Sequence, residues 1–293
     1  MKKSELAPIV IFAFKRPEKL KKLLLSLEEN AEFKESKILF YVDKYLDKSD
    51  KKRNEEVLEI VNEHSNNSNF EIHYNKKNLG LKKNILQGIN NSLDKYENAI
   101  FIEDDLIVGK YFLNYMNASL NFYENKKEIK HISGYNYPTF LGSNKSNYFT
   151  SYMNCWGWAT WSDRWFENTN FTNNLISELP KKKRLDFTVY GLEKDFESQL
   201  LRNENNEIET WAIFWYQHIF LSGGLCVNPK KTLVQNTGND NEATHKINSK
   251  IYNSKINNHV ISTFSNKSKF DYINKLQTVW FYIIKKIKKK INS

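Results

Sequence analysis

Apolar and polar residues along the first half of the chain form blocks that predict strands and helices in turn. Four apolar runs predict buried strands, and a helix with one apolar face follows each of the first three. The strands are residues 8–14, 38–42, 70–74 and 99–102, and the helices are residues 17–30, 51–64 and 81–93. This β-α-β-α-β-α-β order predicts an α/β fold with a mostly parallel central sheet and helices on both faces.

The second half of the chain has a less regular pattern. It predicts a helix over 110–123, a strand over 131–135 and then a loop of small and aromatic residues. A charged segment over 177–206 is expected to be helical, an apolar helix covers 211–221, and a short strand covers 225–227. Beyond Asn236 the composition turns to Asn, Lys and Ser and predicts no defined element until a final helix in 270–293.

Composition narrows the class of protein. The 293 residues carry a formal net charge of +10, which suits a nucleic acid, an anionic membrane surface or a phosphorylated substrate as partner. The chain has two cysteines, Cys155 and Cys226, and no Cys/His spacing typical of zinc, so we expect a reducing compartment. No segment approaches membrane-spanning length, and we expect a cytoplasmic location.

Three consecutive carboxylates, Glu103, Asp104 and Asp105, follow the fourth predicted strand. Desolvating an unpaired carboxylate costs several kcal/mol, so a positive group must lie beside them. Ligands of α/β proteins bind at the carboxyl ends of the strands, and carboxylate oxygens suit Mg²⁺ or Mn²⁺. The sequence therefore predicts a divalent metal site here, and the alternative is a solvated acidic loop.

Positive groups occur where a diphosphate could bind. Arg16 follows the first strand, and Lys82 and Lys83 open the third helix, whose N-terminus attracts phosphate. The turn at Gly80 lacks the Gly-Lys-Ser/Thr of a P-loop, and no G-x-G-x-x-G is present. The alternative for each of these three cations is an ordinary surface charge.

Two aromatic segments suggest further contacts. Trp156, Gly157 and Trp158 predict a close backbone approach beneath an aromatic wall on which a sugar could pack, and the alternative is core packing. Residues 270–293 place an aromatic and aliphatic cluster beside a lysine run, which favours an interfacial helix on anionic lipid. The alternative there is a helix docked on its own domain.

Six blocks of sequence together resemble the GT-A-type glycosyltransferases, in particular the group similar to N-acetylglucosaminyltransferase I and its bacterial sugar-transferase relatives. They occur in the order of that family and extend from Pro8 to about His245. The blocks are PIVIFAFKRP at 8–17, YVD at 41–43, NLGL at 78–81, FIEDD at 101–105, CWGWATW at 155–161 and PKKTLVQNTG at 229–238.

The resemblance implies a GT-A domain over residues 1–245, with a nucleotide-sugar-binding half (1–130), an acceptor half (131–245) and a basic tail (246–293). It places Asp105 on a Mn²⁺ or Mg²⁺ ion that bridges the donor diphosphate, and Glu103 and Asp104 on ribose or sugar hydroxyls. It also implies that Asp43 holds the base or ribose, and that Arg16 belongs to the donor-binding loop. His245 is a candidate for a further metal or diphosphate contact, and the alternative is a solvated loop histidine.

An inverting transfer needs a base to deprotonate the acceptor hydroxyl. The resembled family carries this carboxylate in a Trp-rich segment, which corresponds here to residues 207–215. Trp211 in this segment joins Trp156, Gly157 and Trp158 as a candidate for acceptor binding. The eukaryotic enzymes have an acid just after the first Trp, where this chain has Ala212 and Ile213. Glu209 is the candidate, and its alternative role is that of a carboxylate in a first helical turn.

These observations predict a metal-dependent, inverting glycosyltransferase that uses a nucleotide-sugar, with UDP favoured by the resemblance, and a glycan or glycolipid acceptor. Lipooligosaccharide, lipopolysaccharide or capsule synthesis is the expected setting, on the inner face of the cytoplasmic membrane. The alternatives are a sugar nucleotidyltransferase, which lacks its Gly-rich N-terminal signature here, and a nucleic-acid-binding protein, for which no binding motif is present.

Overall fold

The computed structural model describes residues 6–64, 68–138, 147–165, 179–238, 252, 254–266 and 272–291. The strands in these ranges are β1 (Ile9–Ala13), β2 (Ile38–Val42), β3 (Phe70–Tyr74), β4 (Asn98–Glu103), β5 (Leu106–Val108), β6 (Ile129–Ser133), β7 (Asn147–Thr150), β8 (Trp158–Trp161), β9 (Leu225–Pro229) and β10 (Val234–Asn236). The α-helices are α1 (Pro17–Glu28), α2 (Lys48–Glu63), α3 (Leu81–Lys95), α4 (Phe112–Phe122), α5 (Lys181–Phe187), α6 (Asp195–Glu204), α7 (Ala212–Leu221) and α8 (Tyr272–Ile291).

Eight strands form the central sheet in the order β3-β2-β1-β4-β8-β6-β9-β7. The first four are parallel, β8 is antiparallel to both of its neighbours, β6 and β9 are parallel, and β7 is antiparallel at the edge. The predicted α/β fold with a mostly parallel sheet is confirmed. A second, two-stranded sheet pairs β5 with β10 in antiparallel register.

Helices cover both faces of the central sheet, as the sequence predicted. In β1, Ile9 and Ile11 belong to the cluster that contains the apolar residues of α1, α2 and α4. Val10 and Phe12 belong to the opposite cluster, with residues of α3 and α7. Because both faces are buried, these strands are apolar at nearly every position.

Several predicted boundaries and elements were wrong. Helix α2 begins at Lys48, before the predicted 51, because the Asp47 carboxylate caps it by accepting from Ser49 N and Asp50 N at 2.8 and 3.2 Å. The segment predicted as an aromatic loop contains β7 and β8, and the charged segment holds two separate helices, α5 and α6. Strands β5 and β10 have three residues each, too few to produce a recognisable alternation.

Helix α8 packs on the body of the protein through one face. Its Phe281 and Tyr282 are buried in a cluster with Phe187 and Tyr216. The opposite face is open, and Trp280 is 53% exposed. Among the described helices, none carries an apolar stretch of the length that spanning a lipid bilayer requires.

A neutral histidine lies in the middle of the sheet. The Asn154 carbonyl can only accept and the indole N–H of Trp215 can only donate, so His131 donates from Nε2 to Asn154 O (3.0 Å) and accepts at Nδ1 from Trp215 (3.2 Å). Burial lowers the pKa of His131 to about 3, against the hydrogen bond to Asn154. A proton on Nδ1 would place two donors against each other in the core.

Acid should therefore destabilise the fold through His131. Because its folded-state pKa lies below the unfolded value of about 6.5, protons favour the unfolded chain from pH 6.5 down to about 3. We expect the difference in unfolding free energy between wild type and His131→Gln to shrink by about 2 kcal/mol from pH 7 to pH 5. Urea unfolding at both pH values measures this difference. If it is the same at pH 7 and pH 5, the pKa of His131 is not lowered in the folded protein.

Candidate active site

The acidic residues lie at the edge of the sheet where the parallel strands end. Glu103 is the last residue of β4, and Asp104 and Asp105 form the turn into β5. Arg16 lies three residues after the end of β1, and Asp43 directly follows β2. Because neighbouring parallel strands end at the same edge, all five of these predicted site residues lie along it, as expected.

Arg16 is the cation that contacts the acids. Its Nη1 donates to Asp105 Oδ2 at 2.7 Å and to Asp104 Oδ1 at 3.3 Å. The backbone N–H of Phe14 donates to Asp104 Oδ2 at 3.3 Å. Asp104 and Asp105 are only 5% and 8% exposed, so these contacts form in a site with little water. Asp105 Oδ1 is buried without a hydrogen-bond partner among the described residues.

The acids outnumber the positive charge beside them. Burial raises the pKa of Asp104 to about 7, although the charge of Arg16 acts in the opposite direction. Burial also raises the pKa of Asp105, and burial together with the charges of Asp105 and Asp104 raises that of Glu103. Burial acts to lower the pKa of Arg16, but Asp104 and Asp105 more than offset this and raise it. The site therefore favours a further cation.

A segment from the second half of the chain closes against Asp105. Thr237 donates from both its backbone N–H and its hydroxyl to Asp105 O, each at 2.8 Å. A Cβ atom on Gly238 would lie 2.0 Å from Asp105 Oδ2, so any larger residue there would displace this carboxylate. The sequence analysis gave Thr237 and Gly238 no role, and only their place in the block at 229–238 pointed to them.

The acids fit a divalent cation that a substrate helps to hold. Within the described ranges, no group of three or more His, Cys, Asp or Glu side chains could bind a metal ion unaided. Magnesium sites that handle phosphates commonly use one or two carboxylates together with phosphate oxygens of the substrate. The unpartnered Oδ1 of Asp105 is an oxygen of this kind. The other predicted metal ligand, His245, lies outside the described residues.

Asp43 organises the neighbouring loop. Its carboxylate accepts from the backbone N–H groups of Leu79 and Gly80, both at 2.9 Å, and from Asn75 Nδ2 at 3.0 Å. Lys44 N also donates to it, at 3.0 Å, and the side chain is buried. The structure thus gives Asp43 a positioning role for the Gly80 loop, and its predicted contact with a nucleotide stays a prediction.

Gly80, Lys82 and Glu209 lie together at the start of α3. Gly80 adopts φ +79°, which favours glycine, and a Cβ there would lie 3.6 Å from Glu209 Oε2. The Lys82 ammonium lies 4.7 Å from the Phe214 ring centroid. Burial lowers the pKa of Lys82, against the charge of Glu209. Glu209 itself is exposed, as is the neighbouring Lys83.

Two of the four residues predicted to bind acceptor belong to the core. Trp158 and Trp211 are 2% and 5% exposed, and their rings stack at 5.5 Å between centroids, with Trp165 and Trp215 also beside Trp158. Core packing, the alternative given for Trp158, is what the structure shows, because the packing of α7 on the sheet buries both rings and leaves neither face open to an acceptor. Gly157 is buried behind Trp156, and its carbonyl accepts from Gly134 N at 2.7 Å.

Half-buried Trp156 lines a cavity of about 230 Å³, here called the aromatic cavity. Its lining includes Cys155, whose pKa rises through burial and then through the charge of Glu103, so the cavity lies near the acids. Glu193, Asp195 and Lys285 also line it, and the Lys285 ammonium is paired with Glu193. The sequence analysis missed these three residues. The full lining is Tyr137, Met153, Asn154, Cys155, Trp156, Glu193, Asp195, Phe196, Gln199, Ala212, Ile213, Tyr216, Tyr252, Tyr282 and Lys285.

No family model matches the chain, and no curated protein matches it either. Among solved structures, S. aureus TarS 1-349 in complex with UDP is similar over 48% of this chain, with 20% identity and a TM-score of 0.33. GalNAc-T7 with UDP, GalNAc and Mn²⁺ is similar over 78% of this chain, with 11% identity and a TM-score of 0.49. The matches cover 38% and 43% of those chains. Both TM-scores are below 0.5, so neither likeness carries functional weight.

Proposed function

We propose that this protein is a metal-dependent, inverting glycosyltransferase that transfers a sugar from a nucleotide-sugar to a glycan or glycolipid. The observation that carries the proposal is the buried pair Asp104 and Asp105 at the carboxyl edge of the sheet, where Oδ1 of Asp105 has no hydrogen-bond partner in the part of the chain that the structure describes. An excess of buried negative charge is suited to a cation that arrives with a phosphorylated substrate. The six ordered sequence blocks favour a UDP-sugar over other nucleotide-sugars.

Asp105, with Asp104 beside it, would hold Mn²⁺ or Mg²⁺, and His245 is a further candidate ligand. When bound, the metal supplies positive charge that stabilises the leaving diphosphate. Arg16 already contacts both acids at 2.7 and 3.3 Å, so it is placed to bind a phosphate oxygen once a divalent cation satisfies them. Thr237 holds the backbone oxygen of Asp105, and Gly238 leaves room for its carboxylate.

The donor would extend from the acids toward the start of α3. Asp43 binds the backbone N–H groups of Leu79 and Gly80, which holds the N-terminus of α3, with Lys82 and Lys83 in its first turn, beside the end of β2. A helix N-terminus with two lysines favours an anionic group. We assign Gly80, Lys82 and Lys83 to donor binding, and Glu103 to a hydroxyl of the ribose or sugar.

Glu209 is our candidate for the base that takes the acceptor proton. It is exposed and carries its carboxylate close to Gly80 and Lys82, on the donor side of the site. Asp195, in the aromatic cavity, is the structural alternative. Glu193 is less suited, because its carboxylate is paired with Lys285.

We propose that α8 also binds an anionic membrane surface, in a cell that builds lipooligosaccharide, lipopolysaccharide or capsule. Leu276, Trp280 and Ile287 are 52%, 53% and 52% exposed. Their spacing of four and seven residues places them along one side of the helix. Lys286 is exposed on the same helix, and the sequence holds three further lysines at 288–290, a composition that favours anionic lipid.

The metal role predicts the behaviour of Asp105→Asn. We expect this variant to lose Mn²⁺-dependent UDP release from UDP-sugars by about 100-fold or more, because its site no longer stabilises charge on the diphosphate. Asp163→Asn, which changes an exposed carboxylate that pairs with Lys127, is the matched control. Undiminished turnover in Asp105→Asn, or full activity of the wild type in excess EDTA, would reject the metal role. Pyrophosphate release from UTP and a sugar phosphate would instead indicate a nucleotidyltransferase.

The base assignment predicts a split between kcat and donor KM. Glu209→Gln should lower kcat for transfer by about 100-fold or more while the donor KM changes little, because only proton abstraction is removed. Glu207→Gln, on the same exposed segment, serves as control. If Asp195→Asn causes the larger loss and Glu209→Gln stays near wild type, the base is in the aromatic cavity.

Membrane binding is tested by changing the open face of α8 alone, because deleting the helix would also remove Phe281 and Tyr282 from the core. Trp280→Glu combined with Ile287→Glu should greatly reduce co-sedimentation with phosphatidylglycerol vesicles, since it places two negative charges on the apolar strip. Leu25→Glu combined with Leu201→Glu changes two equally exposed residues elsewhere and should leave binding unchanged. Equal loss in both variants would contradict a specific role for α8.

A further inference from the structure

A second cavity, here called the basic cavity, opens beside the aromatic cavity and has a volume of about 510 Å³. None of the residues to which the sequence analysis gave a role lines it. Three lysines and one histidine line it, and no Asp or Glu is among the described lining residues. The lining residues are Asn136, Tyr137, Lys230, Lys231, Thr232, Ser254, Lys255, Ile256, Asn257, Asn258 and His259.

Internal hydrogen bonds fix the walls of the basic cavity. Buried Asn136 donates from Nδ2 to the backbone oxygen of Lys230 at 2.6 Å, which anchors the lysine pair that follows β9. On the opposite wall, Asn257 N donates to Thr232 O at 2.8 Å, so residues 254–259 are joined to the same segment. The cavity is therefore formed before any ligand arrives, which lowers the entropic cost of binding.

The lysines of this cavity are available to a ligand. Among the described residues, no carboxylate forms an ion pair with Lys230, Lys231 or Lys255. Three lysines on one concave surface, with no acid among the described residues that line it, favour a positive potential that a flat surface would not concentrate. A volume of this size is typical of a site for a small molecule, such as one or two sugar units.

The position of the basic cavity connects it with the aromatic cavity. Tyr137 lines both cavities. The segment that supplies Lys230, Lys231 and Thr232 to the basic cavity continues to Thr237, which donates to Asp105 O at 2.8 Å. A saccharide with its reacting unit in the aromatic cavity could therefore extend past Tyr137 into the basic cavity.

We propose that the basic cavity binds an anionic group of the acceptor saccharide, a phosphate or a carboxylate, through Lys230, Lys231 and Lys255. This inference rests on the proposed glycosyltransferase function and adds the class of acceptor to it. It assigns specificity to residues outside the donor site, and it makes a phosphorylated sugar or a uronic acid the expected component of the acceptor.

The test compares anionic and neutral sugars as ligands of the full chain in EDTA, by calorimetry. Glucose 6-phosphate and glucuronic acid probe the two anionic groups, and glucose is the neutral reference. We expect one anionic sugar to bind at least about tenfold more tightly than glucose, a difference of about 1.4 kcal/mol, because hydrogen bonds to a charged group are stronger than those to a neutral hydroxyl. Lys231→Glu combined with Lys255→Glu should abolish this preference, and both residues are exposed, so the fold should tolerate the change.

Lys22→Glu combined with Lys52→Glu, two exposed lysines of α1 and α2, is the charge-matched control and should bind as the wild type does. Equal affinity for glucose and both anionic sugars, or equal loss in both double variants, would overturn the proposal. So would oligonucleotide or phosphatidylglycerol-vesicle binding that depends on Lys231 and Lys255 in place of sugar binding. Mn²⁺-dependent UDP binding is measured in parallel, and its absence would reject the glycosyltransferase function without affecting the sugar-binding result.

Discussion

The contact of Arg16 with Asp104 and Asp105 is the interaction on which the candidate site depends. A single guanidinium meets two carboxylates that are almost completely buried, and a third acid lies next to them. Such an arrangement is costly, because burial raises the pKa of each acid although the charge of Arg16, and for Asp105 also that of Lys19, acts in the opposite direction. A protein retains this cost where a ligand later compensates for it, and that is the strongest physical reason to regard this edge of the sheet as an active site.

The sheet explains why the site forms where it does. Strands β1, β2 and β4 are parallel neighbours, so the residues that follow them meet without any further folding device. The small β5–β10 sheet then brings Thr237 and Gly238 onto the acids from the other half of the chain. One half therefore supplies the charges, and the other fixes their geometry.

The first half of the fold and the acid cluster could be predicted from sequence because burial on both faces leaves continuous apolar runs that end at charged residues. Contacts between distant segments have no comparable pattern in the sequence. Thr237 is 132 residues from Asp105, and Lys285 is 92 from Glu193. The role of Trp158 could not be deduced either, since a tryptophan in a core and one beneath a sugar look alike in sequence. Only the packing of α7 distinguishes the two.

Helix α8 affects the order in which the acid cluster and the aromatic cavity form during synthesis. Tyr282 on this helix lies 3.1 Å, oxygen to oxygen, from Tyr137 across 145 residues of chain, and Tyr282 and Lys285 form part of the wall of the aromatic cavity. The ribosome adds Arg16, Asp105 and Gly238 to the chain before it adds Tyr282 and Lys285. During synthesis, the acid cluster can therefore form first. The wall of the aromatic cavity is completed only after α8 has docked.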